Sequence, residues 1–210
     1  PTATQECTTA CQTSAARSEA VRQQLLLVAL AMVFRGGLSH SAEMPEVPGP
    51  DGLVAEQDHA REYADQIPLF MRQRFVSKQP IECRPVKFHN PIRPEKADPL
   101  RHLWIKTSDK LSTDIDPPLH DCLLAFFSDV NLLSTALLPH GRTFWEGGIA
   151  AATIDHSMWF HQEIDMSSWL LYEIESPWSG DGRGLARGQI FEPNTGKLVA
   201  STAQEGVIRM

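Results

Sequence analysis

Asp129 is an acidic residue within an apolar stretch that covers residues 119–138. If that stretch is a helix packed in a core, burial disfavours the charged carboxylate and raises its pKa. A carboxylate with a raised pKa can accept a proton as a general base. It can equally be a structural group that is bonded to backbone donors or to an arginine. Asp129 is therefore a candidate for acid–base chemistry, and burial alone does not decide between the two roles.

The segment 152–161 (ATIDHSMWFH) is predicted to be a strand with polar groups along one face. Alternate residues of a strand share a face. The polar face is expected to carry Thr153, Asp155, Ser157, Trp159 and His161. His156 would then point away, which excludes an Asp–His–Ser hydrolase triad and disfavours a metal site shared by the two histidines. The polar face either meets solvent or lines a polar site.

The segment 201–209 (STAQEGVIR) is a predicted strand with Thr202 and Gln204 on one face. A neutral amide there suits the binding of a water molecule or a carbonyl oxygen, although a solvent-facing polar surface is the simpler interpretation. The glycine-rich segment 179–184 lies between two predicted strands and opens no helix, so it indicates a hairpin rather than a dinucleotide-binding loop. Arg183 could meet a phosphate there, but a solvated turn residue is the simpler interpretation.

The predicted elements that would position these residues follow an α+β order. One buried central helix is predicted over 119–138, and Pro139, His140 and Gly141 would end it. Strands are predicted over 79–89, 101–107, 148–160, 168–177, 184–192 and 197–209. Prolines bound the first of these strands, which favours an edge position. The expected architecture is an antiparallel sheet wrapped around one helix.

The amino-acid composition along the chain predicts three segments. Residues 44–52 (MPEVPGPDG) contain three prolines and two glycines, which indicates a linker. We expect an atypical N-terminal segment over 1–43, a linker and helix over 44–78, and the α+β domain over 79–210. The apolar run 25–34 is too short for a membrane-spanning helix, and it is either a buried element or the core of a signal peptide.

The composition of the chain argues against some classes of protein. The chain has 210 residues, a hydrophobic fraction of 42% and a formal net charge of −7. This length allows one sizeable core. The negative charge disfavours non-specific binding of nucleic acid, because few phosphates could be neutralised. Four cysteines do not make a disulfide scaffold, and Cys7 and Cys11 are interpreted as reduced thiols without a metal.

The motifs together resemble those of the acyl-CoA thioesterase II family. The matching stretches are MPEVPGP (44–50), IECRPV (81–86), LLAFFSDVNLLSTALLPH (123–140), ATIDHSMWFH (152–161), WLLYEIESP (169–177), GRGLARGQIF (182–191) and GKLVASTAQEGVIR (196–209). DHSMWFH and AQEGVIR are the most specific of them. The resemblance implies the hot-dog fold, in which an antiparallel sheet wraps around one helix. It also implies hydrolysis of acyl-CoA thioesters to free CoA and a carboxylic acid.

By motif, the catalytic residues of that family fall on Asp129, Thr153 and Gln204. In this interpretation Asp129 accepts a proton from a water molecule, which Thr153 and Gln204 hold in line with the thioester carbonyl. A thioester attacked by water requires no metal and no cofactor. Cys122 is a poor nucleophile candidate, because its motif contains no evident base.

One departure from the family is large. Its members carry a first hot-dog domain before the linker, whereas only about 43 residues precede the linker here, and they do not resemble that domain. An alternative is that residues 1–43 are a remnant of that first half, with the apolar run 25–34 in the place of its last strand. A single half would expose an apolar sheet edge. We therefore expect either homo-oligomers that form through this edge or an unstable chain, with acyl-CoA as the substrate and no membrane span.

Two alternatives to an active thioesterase follow from the same sequence. One is a catalytically weak remnant that binds acyl groups or a partner subunit. The other is a related hot-dog dehydratase, which would use a histidine together with Asp or Glu on the helix; His120 stands near the predicted helix start, but the motif is lacking. The resemblance implies a peroxisomal or cytoplasmic setting, and the final residues are not a Ser-Lys-Leu type of peroxisomal signal.

Overall fold

A computed structural model of the protein describes residues 38–67, 72, 75–109, 111, 117–146 and 148–209. The predictions made for the apolar run 25–34 and for Cys7 and Cys11 lie outside the described residues. The described residues from Ser39 onward belong to one compact unit. All of the elements below lie in that unit.

Six strands form one antiparallel sheet. They are β1 (Ile81–Pro85), β2 (Leu100–Thr107), β3 (Ala150–Phe160), β4 (Leu170–Gly180), β5 (Arg183–Glu192) and β6 (Lys197–Arg209). Their order across the sheet is β1-β2-β4-β5-β6-β3. The six predicted strands are all present, and the segment that was assigned to an edge by its prolines is the edge strand β1. The opposite edge is β3, the strand that carries Thr153 and His156.

The glycine-rich segment connects β4 to β5 as predicted. Gly180 pairs with Arg183, so the loop consists of two residues, Asp181 and Gly182. Their φ angles are 49° and 71°. Two positive φ angles in a two-residue loop define the tight turn whose twist matches that of the flanking strands. The segment is therefore a hairpin. Arg183 itself is paired with Glu205 on β6, with 2.8 Å between Nη1 and Oε1.

The central helix is shorter than predicted. The described helices are α1 (Glu56–Glu62), a 3-10 turn (Ala64–Gln66), α2 (Pro117–Ser128) and a 3-10 helix (Leu133–His140). The prediction of one continuous helix over 119–138 is wrong, because α2 ends at Ser128 and Asn131 adopts a φ of 68°. Asn tolerates this left-handed conformation better than most residues. Its carbonyl then accepts bonds from the hydroxyls of Ser134 (2.9 Å) and Thr135 (3.1 Å), which start the 3-10 helix.

The core lies between α2 and the inner face of the sheet. Its fully buried members include Leu124 on α2, Ile105 on β2, Tyr172 on β4 and Ile190 on β5. The segment Pro117–His140 is long and apolar enough to cross a membrane, but half of its most apolar part is buried inside this fold. The segment therefore contributes α2 and the 3-10 helix to the core, and the predicted α+β architecture is confirmed.

Candidate active site

Asp129 is the first residue after α2, and its side chain is exposed in this chain. The prediction that it lies among apolar side chains within a helix is wrong. The reason is the early end of α2 at Ser128, which releases the next residue from the packed helix. The carboxylate therefore stands at the rim of the core, where both solvent and neighbouring side chains can reach it.

Gln204 on β6 joins Asp129 to Thr153 on β3. Its Nε2 donates hydrogen bonds to Oδ1 of Asp129 and to Oγ1 of Thr153, the second with a length of 2.7 Å. The amide orientation is physically required, because the opposite one would place two acceptor oxygens against each other. Gln204 lies 75 positions from Asp129 and 51 positions from Thr153 in the sequence. The fold thus brings into contact the three residues that the sequence singled out.

Burial distinguishes Gln204 from the other two residues. Gln204 is only 1% exposed, so the expectation of a solvent-facing polar surface on this part of β6 is wrong. Its Oε1 has no hydrogen-bond partner among the described residues. Thr153 accepts a bond from Gln204, and its own hydroxyl hydrogen has no acceptor in the described part of the chain. The arrangement therefore leaves one accessible donor, the hydroxyl of Thr153, next to a carboxylate, whereas Oε1 of Gln204 is buried.

A β-bulge in β3 puts Thr153 on the inner face. Thr153 pairs with Gly206 and Asp155 pairs with Glu205, so Ile154 has no partner on β6. One extra residue reverses the alternation of side chains. The predicted shared face of Thr153 and Asp155 is therefore wrong. Asp155 points outward, and its Oδ1 accepts the backbone N–H of Glu205 (2.9 Å).

The same bulge turns His156 inward, toward the end of α2. Its Nε2 lies 2.8 Å from Oγ of Ser128. Because that hydroxyl donates its hydrogen to the carbonyl of Ala125 (2.9 Å), His156 must be the donor to Ser128. The other ring nitrogen, Nδ1, is buried without a partner among the described residues. Burial lowers the pKa of His156, although the charges of Asp129 and Asp155 oppose that shift.

Tyr172 on β4 fixes the backbone at the same point. Its hydroxyl donates to the carbonyl oxygen of Ser128 (2.9 Å) and lies 3.1 Å from Oγ1 of Thr202. Burial raises the pKa of Tyr172 well above its usual value, so the phenol stays a neutral donor. With the hydroxyl of Ser128 held by His156 and its carbonyl held by Tyr172, the direction in which the chain leaves α2 at Asp129 is determined.

Sequence reasoning missed Ser128, His156 and Tyr172. Regular strand alternation assigned His156 to the wrong face, and Tyr172 sits in an apolar strand pattern that is typical of a core residue. A signal was nevertheless present for Ser128, which immediately precedes Asp129 in the family motif. The inward orientation of His156 can be predicted only if the bulge in β3 is known. The role of Tyr172 can be predicted only if the contact between β4 and α2 is known.

The remaining candidates occupy other positions. Nδ1 of His120 accepts the backbone N–H of Met166 (3.0 Å), and His161 contacts the hydroxyl of Ser201 (2.9 Å). Cys122 is a free, partly buried thiol. Within the described residues, no three His, Cys, Asp or Glu side chains lie close enough to hold a metal ion.

Comparisons with known proteins identify the family. The sequence model of the acyl-CoA thioesterase family matches residues 70–207. Acyl-CoA thioesterase 2 of Haemophilus influenzae is 39% identical over 173 residues, which cover 82% of this chain and 59% of that protein. The crystal structure of an acyl-CoA thioesterase II from Mycobacterium marinum is 32% identical with a TM-score of 0.61, over 84% of this chain and 59% of that one.

A third similarity concerns the fold alone. A protein of unknown function with a hot-dog fold from Alicyclobacillus acidocaldarius is 17% identical, with a TM-score of 0.57 over 84% of this chain and 59% of that one. The expected hot-dog fold is thus confirmed. In each of these comparisons the chain spans about 59% of the relative's length. Because the family model covers most of this chain and the identity to named members exceeds 30%, the chain belongs to the acyl-CoA thioesterase II family.

Proposed function

We propose that this protein hydrolyses acyl-CoA thioesters to free CoA and a carboxylic acid, with Asp129, Thr153 and Gln204 as its catalytic residues. Family membership supports the reaction class. The single observation that carries the assignment of residues is the amide of Gln204, which bonds to both Asp129 and Thr153. The three family-motif positions are otherwise remote in sequence.

In the proposed mechanism Asp129 is the general base. Its Oδ1 is held by Gln204, and its second carboxylate oxygen has no hydrogen-bond partner among the described residues. That oxygen accepts a proton from a water molecule while the water oxygen attacks the thioester carbonyl carbon. The hydroxyl hydrogen of Thr153 is the group left to orient the water, and Gln204 holds Asp129 and Thr153 in place on either side of it.

Collapse of the tetrahedral intermediate completes the reaction. The carbon–sulfur bond breaks, the electron pair leaves with the sulfur of CoA, and the proton held by Asp129 passes to that thiolate. Water and thioester thus give a carboxylic acid and a thiol, and the carboxylate is regenerated. No covalent acyl-enzyme and no cofactor enters the proposed cycle.

Asp129→Asn tests the proposal. We expect release of thiol from a panel of acyl-CoAs by the wild-type protein and a turnover at least about 10²-fold lower in the variant, in the range typical of the loss of a general base. Asp181→Asn is the matched control, because Asp181 lies in the exposed β4–β5 turn and Asn tolerates its positive φ. The assignment fails if both variants match the wild type.

A second candidate is a catalytically weak hot-dog domain that binds acyl groups or a partner subunit. It is supported by the exposure of Asp129 and Thr153 in this chain, because exposed groups are less able to exclude bulk solvent from the reaction. This candidate predicts that acyl-CoA binds and that thiol release is slow and unaffected by Asp129→Asn.

We further propose that the chain forms homo-oligomers through its β3 edge, in the cytoplasm or the peroxisome. The exposed apolar side chains on β3 support the contact: Ile154 and Trp159 are each 53% exposed. The setting rests on the family resemblance alone. The domain division at residues 43 and 78 remains our proposal.

A further inference from the structure

A cavity of about 300 Å³ lies among the loop after β1, the start of β2 and the 3-10 helix Leu133–His140. Four of its thirteen lining residues are permanent cations (Lys87, Arg93, Arg101 and Arg142), and His89 lies among them. Glu95 is the one acidic residue among its lining residues, in a chain whose net charge is −7. The volume is at the lower end of the range for small-molecule pockets, about 300–1,000 Å³.

Arg101 is the deepest of these cations. Its Nε is buried without a hydrogen-bond partner, and no described residue forms an ion pair with its guanidinium. Burial lowers the pKa of Arg101, while Glu56 and Cys83 oppose the shift. Leaving a buried donor of a charged group unpaired is costly in free energy. The Nε donor of this cavity-lining residue is therefore not satisfied by the described residues.

The neighbouring groups also offer mainly donors. Oδ1 of Asn90 accepts the backbone N–H groups of Ile92 (2.8 Å) and Arg93 (3.2 Å), which turns its amide nitrogen away from those contacts and leaves it free to donate. Arg142 is bound by Glu146, whereas Lys87 and Arg93 have no ion-pair partner among the described residues. A ligand that fills this cavity must therefore supply several acceptor oxygens and negative charge.

His89 lines the same cavity and lies near two of its cations. Burial, together with the charges of Arg101 and Lys87, lowers the pKa of His89 to about 4. The imidazole is consequently neutral at pH 7, so it adds no further repulsion. A bound anion would offset the charges of Arg101 and Lys87 and raise the pKa of His89, which makes that pKa a direct probe of occupancy.

We propose that this cavity binds a phosphate or pyrophosphate group, with Arg101, Lys87 and Arg93 as its ligands. Phosphate oxygens match the planar donors of Arg and the point charge of Lys. Two sources share this chemistry: the phosphates of the CoA moiety, an assignment that rests on the proposed function, and free phosphate or pyrophosphate. The cavity is separate in its lining residues from Asp129, Thr153 and Gln204.

Calorimetry with pyrophosphate, CoA and dephospho-CoA tests the site on the full chain. We expect pyrophosphate to bind the wild type and Arg101→Gln to weaken that binding about tenfold or more, the effect of one lost hydrogen bond to a charged group. Arg187→Gln is the matched control, because Arg187 is exposed on β5, lies outside the cavity lining and loses the same charge. Binding should also raise the pKa of His89 in an NMR titration.

The possible results distinguish CoA from free phosphate as the ligand, and they distinguish failure of the phosphate site from failure of the proposed hydrolysis. Competition between CoA and pyrophosphate assigns the cavity to the CoA moiety, and weaker binding of dephospho-CoA points to its 3′-phosphate. Binding of pyrophosphate that CoA does not displace assigns it to a free phosphate ligand. If Arg101→Gln fails to fold, the exposed Arg93→Gln is measured instead. No binding of pyrophosphate or CoA by the wild type, or equal binding by the Arg101, Arg93 and Arg187 variants, overturns the site. Thiol release is scored separately, so either proposal can fail alone.

Discussion

At the scale of single residues, Gln204 decides how the polar groups of the candidate site face each other. Both hydrogens of its amide are donated, one to Asp129 and one to Thr153. A glutamate of the same shape would present only acceptors to a carboxylate. This geometry therefore requires a neutral amide, because its two N–H groups are what hold the Asp129 carboxylate and the Thr153 hydroxyl next to each other.

His156 makes the same region sensitive to acid. Burial lowers its pKa in the folded chain below the value of about 6.5 expected for the unfolded chain. The unfolded state then binds more protons than the folded state at acidic pH. The contribution of neutral His156 to stability is complete above about pH 6.5 and decreases as the pH falls through 6.5 toward the folded-state pKa.

We predict that His156→Gln reduces the acid sensitivity of folding. The free energy of unfolding of the wild type should fall between pH 7.5 and pH 5.5, and that of the variant should fall less, because an amide does not titrate. Urea denaturation at the two pH values measures this difference. The control is His161→Gln, since His161 also contacts a serine hydroxyl (2.9 Å) but is exposed. An equal loss in the His156 and His161 variants would contradict the prediction.

The sequence located the residues of the candidate site better than it described their surroundings. Asp129, Thr153 and Gln204 were identified from the family motifs, and the structure brings them into contact. The burial of Asp129 was predicted wrongly, because an apolar pattern does not show where Ser128 ends a helix. His156 was assigned to the wrong face, because a period of two residues cannot reveal a bulge.

At the scale of the elements, Tyr172 links the sheet to the end of α2 by a hydrogen bond, beside the bond that His156 makes to Ser128. Tyr172 crosses the inner face from β4, passes over Gly188 on β5 and reaches the last carbonyl of α2. A Cβ atom at Gly188 would overlap both the ring of Tyr172 and the hydroxyl of Thr202. The missing side chain at Gly188 is therefore what lets the phenol reach Ser128.

Gly188→Ala is predicted to destabilise the fold by about 1–3 kcal/mol or more, the usual cost of inserting a methyl group into a filled core. Chemical denaturation at neutral pH measures the change. Gly49→Ala is the comparison, because no atom lies within 4 Å of a Cβ placed at Gly49. We expect that variant to stay within about 0.5 kcal/mol of the wild type. Equal stabilities for the two variants would refute the packing argument.

The elements themselves were largely predictable. Each strand begins and ends within a few residues of its predicted range, because prolines, glycines and alternation mark the boundaries; β3, for example, covers Ala150–Phe160 against a predicted 148–160. The break between α2 and the 3-10 helix was not predictable in the same way. It depends on Asn131, whose left-handed conformation is stabilised by hydroxyls that follow it in the chain.

At the scale of the whole molecule, the two edges of the sheet differ. The edge strand β1 alternates between buried and partly buried residues, whereas most of β3 is exposed. An exposed edge with apolar side chains is a template for pairing with another strand. The candidate site lies at this same edge, through Thr153.

We predict that the chain self-associates and that Ile154→Lys opposes it. Light scattering coupled to gel filtration should give a mass above the 23.4 kDa of one chain for the wild type and a shift toward that mass for the variant. Charged residues, lysine above all, discourage edge pairing. Leu100→Lys serves as the control, since Leu100 is 43% exposed but lies on the interior strand β2. A wild type that elutes as a monomer would contradict the prediction.

The bulge at Ile154 also turns Asp155 to the outer face of the sheet. Slipping β3 by one residue to remove the bulge would turn the Asp155 carboxylate toward the inner face, at the half-buried place of His156, and would turn His156 outward. A carboxylate loses part of its hydration there, so the slipped pairing is disfavoured more than it would be with an apolar residue at position 155. In the observed pairing the carboxylate instead accepts the Glu205 N–H that the irregular ladder leaves open. A side chain with no part in the proposed chemistry thus selects the strand alignment on which that chemistry depends.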